Sequence, residues 1–334
     1  MGITHFSGLE VAGVPIITSG GAPFFTGRWI FVDAVTGNDG QSGASDAPMQ
    51  TLTAAYAAAT EGKNDVIVLV GQPTTAASTT GTFRLSAALD WAKSATHLIG
   101  MCAPTMIGQR ARISTATGAT TNINPLITVS AQGCYMANFS VFQGVGEAST
   151  DEQCFLVTGQ RNYFYNVAIQ GMGSANGAAR AGSYNLKLYG AAENTFENCQ
   201  IGVDTQTRSA ANSNVLIRKN ASNAASTRNI FKGCLFPMLS SSATALFIDG
   251  NESGGMDRFT WFKECMFHNA VNSTGTALTA AVAFHASQGG TTFMDNCSLV
   301  GANDYTASDT ATVKVTGAVP NGDTSGMAAS ADTT

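Results

Sequence analysis

The chain has 334 residues, of which 12% are charged and 36 are glycine, and its formal net charge is −5. Its basic residues are scattered, nowhere denser than Arg110-Ala111-Arg112 or Arg218-Lys219, which excludes nucleic acid as the main partner. No run approaches the roughly 18 apolar residues that a spanning helix needs, so no membrane segment is expected.

Residues 1–27 mix Gly and Pro with aliphatic side chains that so short a segment cannot bury by itself. They read as an extended N-terminal attachment arm that orders against a partner, with Phe6, Leu9, Val11, Val14, Pro15, Ile16 and Ile17 as its contact residues. The start lacks the basic region and apolar core of a signal peptide, so synthesis in a cytoplasm is the expectation.

Residues 28–92 read as an opening module. Trp29–Val32 is a strand, Asp39-Gly40 and Ser42-Gly43 mark a tight loop, and 51–59 is an Ala-rich helix with Thr51 as its N-cap. Val66–Val70 follows as a buried strand. Asp33 to Asp39 superficially suggests a calcium loop, but the ligand alternation and closing Glu are missing, so no metal site is assigned.

Residues 93–317 repeat. Six copies of one string begin at Met136, Phe164, Phe196, Phe231, Phe262 and Met294, which are 28, 32, 35, 31 and 32 residues apart. A second string keeps step: Ile127–Val129, Phe155–Val157, Leu186–Leu188, Val215–Ile217, Leu246–Ile248, Val282–Phe284 and Val313–Val315. Two strand signals sharing a period of about thirty residues define a β-solenoid with two short strands per unit. In the copy Phe196-Glu197-Asn198-Cys199-Gln200-Ile201, Phe196 and Cys199 both point inward only if the chain bends near Asn198. Asn, Gly or Glu holds that bend position in every copy, and Asn and Gly tolerate a left-handed backbone.

Seven cysteines show no metal-like spacing. Cys199, Cys234, Cys265 and Cys297 share one repeat position and read as an inward ladder of reduced thiols; coil spacing of roughly 4.8 Å leaves a disulfide open on distance alone. Glu197, Lys232, Lys263 and Asp295 form an outward column, read either as acid and base around a uronic acid or as cross-coil salt bridging. Asp249, Glu252 and Asp257 are turn formers or ligands for sugar or a cation. His268 and His285 follow inner-strand aromatics and are candidates to approach each other, but no nucleophile motif accompanies them. Tyr163, Tyr165 and Trp261 point outward by register and suit glycan stacking or contact with another subunit. Long loops are expected at 144–153, 171–183, 204–214, 239–244 and 269–279, and residues 318–334 read as a C-terminal tail.

The run Phe31-Val32-Asp33, Gly37-Asn38-Asp39-Gly40, Ser42-Gly43, Ala47-Pro48, Thr51-Leu52, Gly62 and Asp65-Val66-Ile67-Val68 resembles the opening module of the pectate-lyase-like superfamily. The resemblance covers about residues 28–317. It implies an all-β, single-stranded right-handed parallel β-helix with an N-terminal capping helix, and it implies little about function. The arm, with its Ser-Gly-Leu and Gly-Val-Pro elements, is similar to the N-termini of proteins from tailed-phage particles.

Three readings follow. The first is a non-enzymatic structural virion protein, a homotrimeric capsid decoration or cement protein that binds the major capsid protein or another virion protein through its arm at the capsid surface. It requires no cofactor. The second is a tailspike or depolymerase that binds or cleaves host surface glycan, and the third is a free polysaccharide lyase or glycosidase. A glycosidase requires two convergent carboxylates, and the acids that recur in register do not supply an adjacent pair.

Overall fold

The computed structural model describes residues 25–72, 81–116, 119–270, 275–306 and 312–316, together with the backbone of 10–11 and 14–15. Three parallel sheets run along the molecule. One has ten strands, from Trp29–Val32 to Val313–Thr316; one has eight, from Phe83–Leu85 to Ser298–Val300; one has seven, from Leu89–Trp91 to Val282–Phe284. Each coil visits the seven-, ten- and eight-stranded sheets in turn, as in Gln153–Val157, Tyr163–Tyr165 and Ala168–Gln170. The next coil then begins with Tyr184–Tyr189, which pairs in parallel with Gln153–Val157.

A coil thus has three strands, where the repeat suggests two. The first string is divided: Thr195–Glu197 belongs to the ten-stranded sheet and Gln200–Ile201 to the eight-stranded one. The corner between them is left-handed in every copy, with φ of 59° at Asn138, 51° at Asn166, 54° at Asn198, 60° at Gly233, 54° at Glu264 and 49° at Asn296. That backbone turns the chain in two residues, so Phe196 and Cys199 both face the core.

Parallel stacking sets like over like. Phe164, Phe196, Phe231 and Phe262 stack with centroids 4.5, 4.8 and 4.7 Å apart and ring planes within 10°. Cys199, Cys234, Cys265 and Cys297 are free and buried. Each thiol donates to the carbonyl of the Phe one coil earlier, at 3.3 to 3.5 Å. Burial pushes the Cys234 and Cys265 thiols well above their ordinary range, so they stay protonated. At the corner between the seven- and ten-stranded sheets, buried Asn162, Asn194 and Asn229 form a second ladder. Asn194 Oδ1 accepts from Asn162 N–H (3.0 Å), and Asn229 Oδ1 accepts from Asn194 N–H (3.1 Å). Their Nδ2 groups donate to the carbonyls of Ala131, Gly159 and Ala191. This ladder satisfies corner amides that the sheets leave unpaired.

The helix Leu52–Ala58 covers the first coil, and Thr51 Oγ1 caps it by accepting from Ala54 N–H. Tyr56 packs on buried Trp91, with ring centroids 4.5 Å apart and the planes tilted by 35°. Lys93 donates its ammonium to the carbonyls of Tyr56, Ala57 and Ala59 at 2.7, 3.0 and 2.6 Å, satisfying the helix's free C-terminal acceptors. At the other end, buried Tyr305 hydrogen-bonds Cys297 O at 2.8 Å and closes the core beside Val313 and Val315. Within the expected arm, Glu10–Val11 pairs antiparallel with Val14–Pro15. Phe6, Leu9, Ile16 and Ile17, and the tail 318–334, lie outside the described residues.

Two substitutions with opposite signs test this packing. Phe231→Ala opens the middle of the ring stack and is expected to cost about 3–5 kcal/mol in denaturant unfolding. Glu264→Asn relieves the one acidic side chain among these left-handed corners and is expected to stabilise by about 0.5–1 kcal/mol. The Lys263–Glu264 contact that it removes is 3.9 Å long and exposed, so it contributes little against that gain.

Candidate functional site

The long loops all join the eight-stranded sheet to the seven-stranded sheet, so they pile along one edge as a wall. Fully buried Glu152 ties two levels together. Its oxygens accept from Gly173 N–H (2.9 Å) and Ser174 Oγ–H (2.8 Å), and burial pushes its carboxyl up to about 7.

Beside this wall, the outer face of the seven-stranded sheet carries one column of half-buried side chains: Leu156, Lys187, Leu216 and Asp249. The Lys187 ammonium lies 4.5 Å from the ring centre of Tyr189 and 5.9 Å from that of Tyr184. Arg218 pairs with Asp249 at 2.7 Å, and Glu252 accepts from Lys219 N–H at 2.8 Å. Burial lowers the lysine's proton affinity and the Arg218 charge lowers it further, with Glu252 opposing. A partly desolvated lysine beside an arginine and two tyrosines suits a carboxylate-bearing, ring-shaped ligand, and its weakened hold on a proton suits base chemistry. Lys187 is missed from sequence because it stands inside Leu186-Lys187-Leu188, where an isolated lysine reads as an ordinary outward strand position. Asp249 and Glu252 are committed to these partners. Asp257 instead accepts from Arg258 N–H at 2.8 Å.

The outer face of the ten-stranded sheet carries the expected aromatics. Tyr163 and Tyr165 project half-buried from one strand with parallel rings 6.4 Å apart, and Tyr163 donates to Glu197. Trp261 is in the same column as Tyr163 but three strands along, about 14 Å away, with Thr195 and Ile230 between. The charged column runs Glu197, Lys232, Lys263, Asp295 in strict register. Lys232 meets Glu197 at 3.0 Å, while Glu197 and Asp295 are three strands, about 14 Å, apart. That separation exceeds the roughly 9.5 Å span of an inverting carboxylate pair. For Glu197, burial alone would raise the carboxyl, but hydrogen bonds from Tyr163 and Lys232 hold it below the usual range.

His268 and His285 do not meet: one lies in the eight-stranded sheet and the other follows the last strand of the seven-stranded one. The Asp33 and Asp39 carboxylates serve as turn acceptors. Asp33 takes Val35 N–H, Thr36 N–H and Oγ1–H, and Gln72 Nε2–H; Asp39 takes Gln50 N–H, Thr51 N–H and Oγ1–H. Among the described residues no three His, Cys, Asp or Glu side chains converge as metal ligands.

No family model matches the chain, and no curated protein does. Among solved structures it is similar to a rhamnogalacturonan lyase, at 15% identity and a TM-score of 0.57, over 82% of this chain and 68% of that one. The fold is that of the pectate-lyase-like right-handed parallel β-helices. A pectate lyase, Pel9A, matches at 17% identity and TM-score 0.49, over 82% of this chain and 62% of its own. The ORF18 protein of Geobacillus virus E2 matches at 15% and 0.48, over 77% of this chain and 46% of its own. At such identities the likeness concerns fold alone.

Phe25 packs on the His97 ring at 4.2 Å, on Tyr135 at 5.7 Å and on Trp29 at 6.1 Å. His97 is buried with both ring nitrogens used: Nδ1 accepts from Tyr135 N–H (3.0 Å) and Nε2–H donates to Asn64 Oδ1 (3.3 Å). Burial lowers its pKa to about 4, opposed by Asp65. The folded state therefore favours the neutral ring. Stability is complete above the ordinary pKa near 6.5 and falls as pH drops from there toward 4. Between pH 7.5 and 5 the wild type is expected to lose about 2 kcal/mol more unfolding free energy than His97→Gln, measured by urea titration at both pH values.

Proposed function

We propose that the chain is a structural virion protein of a tailed phage, a homotrimeric decoration or cement protein that binds the major capsid protein, or another virion protein, through its N-terminal arm. The observation that carries this reading is the root of the arm. An apolar, Gly- and Pro-containing segment that cannot bury its own side chains is tethered by Phe25 to a buried histidine at the helix-plugged end of a rigid rod. Such a tether suits strapping the rod to a surface. Self-association rests on the shape of the rod, since its exposed apolar residues Trp29, Phe293 and Met266 stand apart on two sheets. An elongated prism packs side by side around a three-fold axis without distortion. Deleting residues 2–22 is expected to leave a β-rich fold by circular dichroism and to abolish co-sedimentation with capsids; binding that survives the deletion contradicts the reading.

The alternative, a protein that binds or cleaves an acidic surface polysaccharide, draws support from Lys187 and its surround. Its mark is release of unsaturated uronate ends from host capsule, followed by ultraviolet absorbance, with activity falling at least about a hundredfold in Lys187→Ala, the scale of a lost general base. Undiminished release in that variant excludes this face as the site.

A further inference from the structure

Arg208 is the one fully buried basic side chain among the described residues, and nothing pairs with it. It lies in the loop between Gln200–Ile201 and Ser213–Arg218, and its backbone is fixed on both sides. Its N–H donates to Leu239 O at 2.9 Å, its carbonyl accepts from Ser241 N–H at 2.8 Å, and Ser209 N–H next to it donates to Ala178 O at 3.2 Å. Arg208 is therefore enclosed by the loops of the preceding and following coils, and its exposure is 0%. Nε, Nη1 and Nη2 all lack hydrogen-bond partners.

Arg161, Arg180, Arg218, Arg228 and Arg258 each meet a carboxylate and are all at least partly exposed, whereas Arg208 makes no ion pair. Four of the other arginines, Arg28, Arg84, Arg110 and Arg112, also make no ion pair, but none of them is fully buried and only Arg84 Nε among them is buried without a partner. Glu152, the buried acid of the same loop wall, has its oxygens occupied by Gly173 and Ser174. Burial lowers the Arg208 guanidinium only to about 9, so it remains charged at neutral pH. A guanidinium has five N–H donors and no acceptor, and a buried ion without a counter-charge is among the costliest features a fold can carry.

We propose that Arg208 is the seat of an enclosed anion site, at which a small inorganic anion of chloride size is held by the guanidinium inside the side-loop wall. The anion neutralises the charge and locks the loop at 202–212 between its neighbours. Small size follows from the zero exposure and from the hydrogen-bonded loops on both sides. Because the ion binds the folded state and not the unfolded chain, stability becomes linked to its concentration. The site stands independently of the virion reading.

The test is a pair of thermal melts at constant ionic strength, with gluconate progressively replaced by chloride, on wild type and Arg208→Met. Wild type is expected to gain several degrees in a saturable manner while the variant stays flat. Without chloride the variant is expected to be at least as stable as wild type, because it no longer buries an unpaired charge. An equal response of both proteins, or no response of either, overturns the proposal, the second outcome meaning that only water serves the guanidinium. Should Arg208→Met fail to fold, bromide-soaked crystals of wild type decide: an anomalous peak within hydrogen-bond distance of the guanidinium supports the site, and its absence overturns it.

Discussion

Coil-on-coil pairing is the constraint from which the rest of this structure follows. Each strand hydrogen-bonds to its equivalents one coil before and one coil after, so any residue type must tolerate a copy of its own position roughly 4.8 Å away. Phenylalanine satisfies this by stacking, cysteine by giving its thiol to the carbonyl below, and asparagine by pairing its amide with the next backbone. Charges satisfy it less well. Lys232 and Lys263 are adjacent in register, and the sheet accommodates them because both reach solvent and Glu197 takes one of them. Where the chain passes from the ten- to the eight-stranded sheet it turns through a left-handed residue, which is why those corners are Asn or Gly with the single exception of Glu264, while the corner before the ten-stranded sheet turns through left-handed Arg161, Glu193 and Arg228.

The same constraint explains what the sequence discloses. Phe196, Cys199 and Asn198 recur at fixed offsets because their environments recur, so the solenoid, its inward ladder and its bend are legible from spacing alone. The capping helix is legible from Thr51 and the alanines that follow. The third strand of each coil is hidden, since it shares a six-residue string with its neighbour and only the corner's backbone separates them. Asn162, Asn194 and Asn229 are hidden for another reason: polar residues between strands look like ordinary loop residues until their amides are seen bonding across coils. Lys93 belongs to the first coil by sequence, yet its ammonium holds the cap.

The candidate sites are less legible than the fold, because they break the repeat. Lys187 has Leu156 before it and Leu216 after it in its column, and Arg208 has no repeated equivalent, so neither produces a periodic signal. Tyr163, Tyr165 and Trp261 are recognisable as outward aromatics. That the two tyrosines form one cluster with Glu197, while Trp261 stands three strands away, depends on the register, which only the folded chain supplies.

A regular rod built this way offers little chemistry along its ladders, and its interruptions among the described residues are the wall of loops and the Lys187 face. The most direct measurement is photo-crosslinking from two positions in virions that incorporate the chain, with a photoreactive residue at Val14 of the arm or at Lys187. The virion account predicts cross-links to the major capsid protein, or another virion protein, from position 14 and none from position 187. Cross-links to surface glycan from position 187, with none to virion protein from position 14, would contradict it.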